Sequence, residues 1–284
     1  MGLLLKSPCK INLLLNVLSK RDDGFHELES IIQPIPIFDE LRIQKGGAGI
    51  QLACNDPNLS KGSDNLVYRA AEACLDKIGA KGVRIYLQKN LPLAAGIGAG
   101  SGNAAYTLRG MNEIFDFPFG VSELQEIAIE LGSDVPFFLQ DAPALVSGRG
   151  EKVKPVRQFE ALEGRGLLLI HPGFGISTPW AYQKLAEVPE AYGEEGRMVV
   201  ALDSLRKGEF AGLYNSLEKP VFGKFLVLPV LKDFLLDQGA LAALMSGSGS
   251  TTFAITEDRP AAEALRTKYH QNFGQAGWSA TVSL

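Results

Sequence analysis

The segment Leu91-Pro92-Leu-Ala94-Ala95-Gly96-Ile97-Gly98-Ala99-Gly100-Ser101-Gly102-Asn103-Ala-Ala105 is a long run of residues that carry almost no side chain. Before it, Val83, Ile85 and Leu87 alternate with Arg84, Tyr86 and Gln88, the period of a half-buried strand. After it, residues 104–115 have the apolar spacing of an amphipathic helix. A strand, a small-residue turn and a helix start together predict an anion site. Glycine and alanine let backbone N–H groups approach a phosphate, and a helix end adds unbonded donors and partial positive charge. The plainer alternative is a tight turn with close backbone packing. A Walker A loop would end Gly-Lys-Ser/Thr, whereas Gly100 is followed by Ser101-Gly102-Asn103. The dinucleotide fingerprint fails at its third glycine, where Ser101 stands, so an NAD-binding oxidoreductase is disfavoured. A protein-kinase loop lies between two strands, and neither H-R-D nor D-F-G is present.

The rest of the chain mixes strands and helices without strict alternation, which predicts an α+β class and not a doubly wound parallel sheet. Residues 11–17 read as a buried strand. Residues 64–78 read as a helix capped by Ser63 or Asp64 and ended by Gly79, and Ser122 to Gln125 as a capping box opening a helix that stops at Gly132. A polar, proline-bearing stretch over residues 152–164 reads as a connection. Beyond it the pattern predicts a strand at 167–170, helices at 179–186, 198–206 and 228–237, strands at 242–245 and 252–255, a helix at 260–269 and a strand at 280–284.

Composition narrows the partners. With 28 Lys and Arg against 32 Asp and Glu, the net charge is −4, so no general attraction to nucleic acid or an anionic membrane is expected. A phosphate ligand must be held by local features. Cys9, Cys54 and Cys74 are odd in number and match no zinc or disulfide spacing, so reduced thiols are expected. Three histidines make a His-based metal site unlikely to assemble. The apolar start Leu3-Leu-Leu5 is too short for a signal segment and no stretch reaches a membrane span, which predicts a cytoplasmic protein.

Five motifs resemble those of the GHMP small-molecule kinases and, within them, the diphosphocytidyl-methylerythritol kinases. The turn from Pro92 to Ala105 resembles their phosphate loop. Ser7-Pro-Cys-Lys10-Ile-Asn12-Leu resembles their P-A-K-I-N-L opening, with Cys9 for alanine. Arg21-Asp-Asp-Gly-Phe25-His26-Glu-Leu28 and Leu131-Gly-Ser-Asp134-Val-Pro-Phe-Phe138 resemble two further family motifs. Met245-Ser-Gly-Ser-Gly-Ser-Thr-Thr252-Phe resembles the last glycine motif of the superfamily. Alone, the histidine-bearing stretch would be a surface loop, Asp134 a helix N-cap ahead of Pro136, and the last motif a glycine hairpin. The resemblance runs from Lys6 to about Ile255.

That resemblance implies ATP-dependent phosphorylation of the 2-hydroxyl of a diphosphocytidyl-methylerythritol, in the non-mevalonate route to isoprenoid precursors. It implies a ribosomal protein S5 domain 2-like N-terminal domain over residues 1–157 and a ferredoxin-like C-terminal domain over 158–284, with the active site in the cleft between them. It makes Asp134 the catalytic base and Lys10 its neighbour. ATP would be bound by Leu91, Pro92, Ala94, Ala95, Gly96, Ile97, Gly98, Ala99, Gly100, Ser101, Gly102 and Asn103, with Asn65, Leu66 and Lys89 around adenine. Phe25 and Tyr182 would sandwich cytosine, His26 would bond its edge, and Asn12 would sit near the methylerythritol hydroxyls. Magnesium would accompany ATP, mostly through phosphates and water, with no protein metal site. A monomer or weak homodimer is expected. Phe25 replaces a frequent tyrosine, Ala99 a common glycine, Gly102 a second serine that would touch phosphate, and Ser216 a usual aspartate. Another GHMP kinase, acting on mevalonate, homoserine or a sugar, and a silent nucleotide-binding relative are the competing readings.

Overall fold

The structure is a computed structural model that describes residues 2–284. The chain divides into two compact units, each assembled from several stretches of sequence: one from the stretch up to Cys9, Pro36–Pro92 and Gly98–Asp141, the other from Lys10–Ile35, Leu93–Ile97 and Ala142–Leu284. Two long strands, β1 (Leu3–Lys20) and β2 (His26–Lys45), contribute residues to both.

In the first unit the sheet order is β3 (Gly49–Cys54), β4 (Gly82–Gln88), β2, β1. Residues Glu40 to Lys45 of β2 run antiparallel to β4, and β3 runs parallel to it. Helices α1 (Leu66–Ile78), α2 (Ala99–Ile114) and α3 (Val121–Leu131) pack together here. The α1 cap is Asn65, not Ser63 or Asp64: its Oδ1 accepts the Val67 N–H at 2.8 Å, and Gly79 closes the helix with left-handed backbone. At α3 the reciprocal box is half-formed two residues earlier than expected. Glu123 Oε2 accepts the Gly120 N–H, and Gly120 has no side chain with which to answer.

The second unit carries the remainder of β1 and β2 with β5 (Ala144–Gly148), β6 (Lys152–Pro155) and later β8 (Tyr214–Asn215), in the order β6, β5, β2, β1, β8. The expected connection at 152–164 therefore contains a strand. A second sheet, all antiparallel, is ordered β11, β7, β10, β9 from β7 (Gly166–His171), β9 (Ala242–Met245), β10 (Thr252–Thr256) and β11 (Trp278–Ser283). Helices α4 (Thr178–Leu185), α5 (Arg197–Arg206) and α6 (Glu218–Phe222) precede α7 (Val227–Asp237), and α8 (Arg259–Phe273) lies between β10 and β11. Leu231, Leu235, Ala262, Leu265 and Tyr269 of α7 and α8 bury against Leu168, Ile170, Ala243 and Ala254 of this sheet. At roughly 25 cal/mol per Å² of apolar surface removed from water, such packing is what fixes these elements, more than helix propensity does. Among the described residues no helix is long and apolar enough to cross a membrane.

Candidate active site

Within the second unit, Lys10 is 3% exposed on β1, and so is at the level of the surrounding core. A buried ammonium is tolerable only when its donors are used. Its Nζ donates to Asn12 Oδ1 and, at 3.2 Å, to the Gly96 carbonyl. Asn12 is oriented in turn, because its Nδ2 donates to Ser30 Oγ at 2.9 Å. The Gly96 carbonyl also accepts from Ser246 Oγ at 3.0 Å. Backbone bonds tie the same stretch down: Lys10 N–H to Ile97 O at 2.9 Å and Thr251 N–H to Ala95 O at 3.1 Å. The last glycine motif thus lies against the turn. Gly96 has φ +76° and a Cβ there would meet Ser246 O at 2.2 Å. Gly247 has φ +56°, and its Cβ would fall 2.8 Å from Gly96 O and 3.3 Å from Lys10 Nζ. Both positions need glycine for conformation and for space. Ala94 holds φ +48° without being glycine, a strained conformation of the kind that collects at functional sites.

In the first unit the helix after the turn starts earlier than its sequence predicts. α2 begins at Ala99, and its first bond runs from Gly102 N–H to Gly98 O at 2.8 Å. The N–H groups of Ala99, Gly100 and Ser101 precede that bond and have no carbonyl within the helix. Gly100 is exposed and Ser101 half-exposed, whereas Gly102 and Asn103 are buried. Gly102 therefore does not stand where a serine would touch phosphate. Its Cβ would point inward, 2.8 Å from Pro8 O and 2.9 Å from Ser7 Oγ. Asn103 donates from Nδ2 to Asp39 at 2.9 Å, Leu91 gives its N–H to Asp39 at 2.9 Å, and Lys89 is ion-paired to the same carboxylate. These three are turned into the protein's interior. Asn65 is occupied as a cap, while Leu66 lies near the helix start, its Cδ1 3.9 Å from where a Gly100 Cβ would be.

Asp134 is half-buried in the turn between α3 and the single 3-10 turn Pro136–Leu139. Bonds from Val135 N–H to Gly132 O and from Phe138 N–H to Val135 O, both 3.1 Å, fix its backbone. Val135, not Asp134, occupies the position before the 3-10 turn, so the capping alternative does not apply.

His26 forms the remaining group, in the second unit. Its ring is 5.0 Å from Tyr182 and 6.1 Å from Tyr192, the latter stacked at 25°. Burial, helped by the charge of Lys20, lowers the His26 pKa below the usual histidine value, so the ring is neutral at pH 7. Nε2 is buried with no hydrogen-bond partner among the described residues, an expensive state that a ligand edge would relieve. Phe25 is exposed, and the Arg149 guanidinium lies 4.8 Å over one face of its ring. Only the other face is left for stacking. Tyr192, Arg149, Ser246 and Asp39 were not singled out from sequence. Of these, Ser246 lay unremarked inside the last glycine motif, and Asp39 left a trace as one of two charges, with Glu40, inside the apolar run Ile35 to Leu41. Ser216 is buried, its Oγ accepting the Val17 N–H at 2.9 Å, so it secures β1.

Comparison with known proteins matches the chain to the GHMP kinases. The model of the GHMP kinases N terminal domain matches residues 65–148 and that of GHMP kinases C terminal matches 198–275. A 4-diphosphocytidyl-2-C-methyl-D-erythritol kinase of Syntrophus aciditrophicus is 40% identical over 264 residues, covering 92% of each chain. A crystal structure of a 4-(cytidine 5'-diphospho)-2C-methyl-D-erythritol kinase superposes with TM-score 0.81 at 33% identity, covering 99% of this chain and 100% of its own. A homoserine kinase from Cytophaga hutchinsonii superposes with TM-score 0.74 at 20% identity, covering 100% and 94%, a likeness of fold.

Proposed function

The chain belongs to the GHMP kinases, in their 4-diphosphocytidyl-2-C-methyl-D-erythritol kinase branch, and we propose on that footing that it phosphorylates the 2-hydroxyl of 4-diphosphocytidyl-2-C-methyl-D-erythritol with ATP, in the non-mevalonate pathway. The observation that carries the reading is the buried Lys10 head, held between Asn12 and the carbonyl of the glycine turn. A GHMP-type turn with an ammonium built into its wall suits phosphoryl transfer, which depends on positioning and charge stabilisation more than on covalent chemistry.

In the proposed reaction the substrate oxygen bonds to the γ-phosphorus, the bond from that phosphorus to the β,γ-bridging oxygen breaks, and the hydroxyl proton passes to the Asp134 carboxylate. Lys10 offsets charge on the transferring group. The N–H groups at the start of α2, with the Ser101 hydroxyl, hold the phosphates. Leu66 and the backbone beside Asn65 face adenine, and Lys89 supports the turn from the interior. His26 bonds the cytosine edge through the unpartnered Nε2, Tyr182 and the open face of Phe25 hold the ring, and Asn12 contacts the methylerythritol hydroxyls. Magnesium supplies further charge neutralisation when bound. An ion carried mostly by phosphates and water needs few protein ligands. On this reading an N-terminal domain over residues 1–157 is followed by a C-terminal domain over 158–284, a division compatible with family matches at 65–148 and 198–275. A cytoplasmic monomer or weak homodimer, with no nucleic-acid partner, completes the reading.

The test is ADP release with magnesium-ATP and the cytidyl substrate, beside mevalonate, homoserine and galactose. Turnover confined to the cytidyl substrate, with kcat lowered about 10²- to 10⁴-fold in Asp134→Asn, is expected for loss of a general base. Turnover with another alcohol instead would overturn the cytidine pocket. ATP binding without any turnover would point to a silent relative.

A further inference from the structure

A turn made of glycine and alanine cannot hold its own shape. It has few side chains with which to pack, and its backbone loses more freedom on ordering than any other sequence would. An anion site nonetheless works only if its donors are already aimed. Something outside the turn must therefore fix its ends, and one carboxylate in this structure touches both of them.

Asp39, near the middle of β2, is fully buried. Its Oδ1 accepts the N–H groups of Asn90 at 2.7 Å and Leu91 at 2.9 Å, the last residues before the turn. Its Oδ2 accepts Asn103 Nδ2 at 2.9 Å, from the second turn of α2, and the Lys89 ammonium. Four donors fill the lone-pair sites of the carboxylate. Lys89 is held at its backbone too, since Asn55 receives its N–H and donates to its carbonyl at 3.0 Å. With its side chain 4% exposed, Lys89 has its charge committed to Asp39 and not to a ligand.

We propose that Asp39 is a positioning residue for the phosphoryl donor: it pins the entry of the glycine turn and the first turns of α2 to one point, and Lys89 serves as its counter-charge. This rests on the reading that the turn binds ATP, and names the device that keeps it ready to do so. The neighbouring Asn103 offers a way to test it. Asn103 Oδ1 is buried and has no hydrogen-bond partner among the described residues. An amide at position 39 would keep accepting from Asn90 and Leu91, and its NH2 could donate to that oxygen once the Asn103 amide turns over. Only the Lys89 ammonium would then face a donor, and Lys89→Met removes it.

Three variants separate the possibilities, measured by calorimetric ATP affinity and by KM for each substrate. Asp39→Ala is expected to weaken ATP at least about tenfold, the scale of losing hydrogen bonds to a charged group, with KM for the cytidyl substrate unchanged. Asp39→Asn is expected to weaken ATP similarly, and Asp39→Asn with Lys89→Met to recover to within about threefold of the parent. ATP affinity in Asp39→Ala equal to the parent would overturn the proposal. If that variant does not fold, the amide pair decides. Failure of the double variant to recover would assign the effect to the charge of Lys89 and overturn it as well. Failure of the parent to phosphorylate the cytidyl substrate, with ATP affinities still in this order, would sink the proposed function and leave the role of Asp39 standing.

Discussion

Gly247→Ala tests whether the last glycine motif holds Lys10 in place. Two costs add at this position. The residue sits at φ +56°, which for an L side chain costs roughly 1–2 kcal/mol. The new methyl would also lie 2.8 Å from Gly96 O, 3.3 Å from Lys10 Nζ and 3.5 Å from Asn12 Oδ1, and overpacking of that kind costs typically about 1–3 kcal/mol. Gly208 provides the control, because it has φ +76° with nothing within 4 Å, so Gly208→Ala carries the conformational cost alone. A destabilisation of about 3 kcal/mol in Gly247→Ala corresponds to a fall in Tm of roughly 6–12 °C in a chain of this size, against about half that in Gly208→Ala. The steric part falls on the carbonyl and ammonium of the site, so kcat should drop about a hundredfold, the order expected for a misplacement near 1 Å. Gly208→Ala should keep the parental kcat. Differential scanning calorimetry and ADP release read both quantities. Equal Tm values for the two variants, with full kcat in Gly247→Ala, would refute the contact between the glycine motif and Lys10.

Three further outcomes follow from the geometry. His26 has a lowered pKa in the folded protein, so the unfolded chain takes up its proton first as pH falls; the contribution to stability is complete above about 6.5 and is lost as pH drops toward the lowered value. KM for the cytidyl substrate should rise over the same acidic range, and a KM in His26→Gln that tracks the parent's pH dependence would contradict this. Gly102→Ser, the residue the family often carries, should lower stability by about 1–3 kcal/mol in denaturant melts without tightening ATP, because its side chain would meet Pro8 O and Ser7 Oγ. Burial pushes the Cys74 thiol up to about 12, so iodoacetamide at pH 8 should label Cys54 in the folded protein and spare Cys74 until it unfolds, as peptide mass spectrometry would read.

How much of this was legible in the sequence depended on whether a residue's role was written in its neighbours along the chain. From β7 onward, periodicity and caps are local, and the expected elements lie within a few residues of the observed ones. Strand β2 was not foreseen, because Pro34 and Pro36 break its pattern. The structure accommodates both prolines in the interval where β2 changes partner, after the β5 pairing ends at Ile32 and before the β4 pairing begins at Glu40. The start of α2 was misplaced for the opposite reason. Gly100 and Gly102 are poor helix formers, and propensity argues against a helix through them. Packing overrides it: Gly102 faces Pro8 O, and at Gly110 a Cβ would meet Ile43 and Leu5 at 2.6 Å, so the helix lies close to its sheet only where side chains are missing. The motif at the turn announced a small-residue turn running into a helix start, and the structure has both, yet the same small residues serve two ends. Gly100 and Ser101 are left accessible, while Gly102 and Asn103 secure the helix beneath them. A pattern that lists residue types along a line cannot separate those roles. The partners that do so, Asp39 and Pro8, lie more than sixty residues away in the chain.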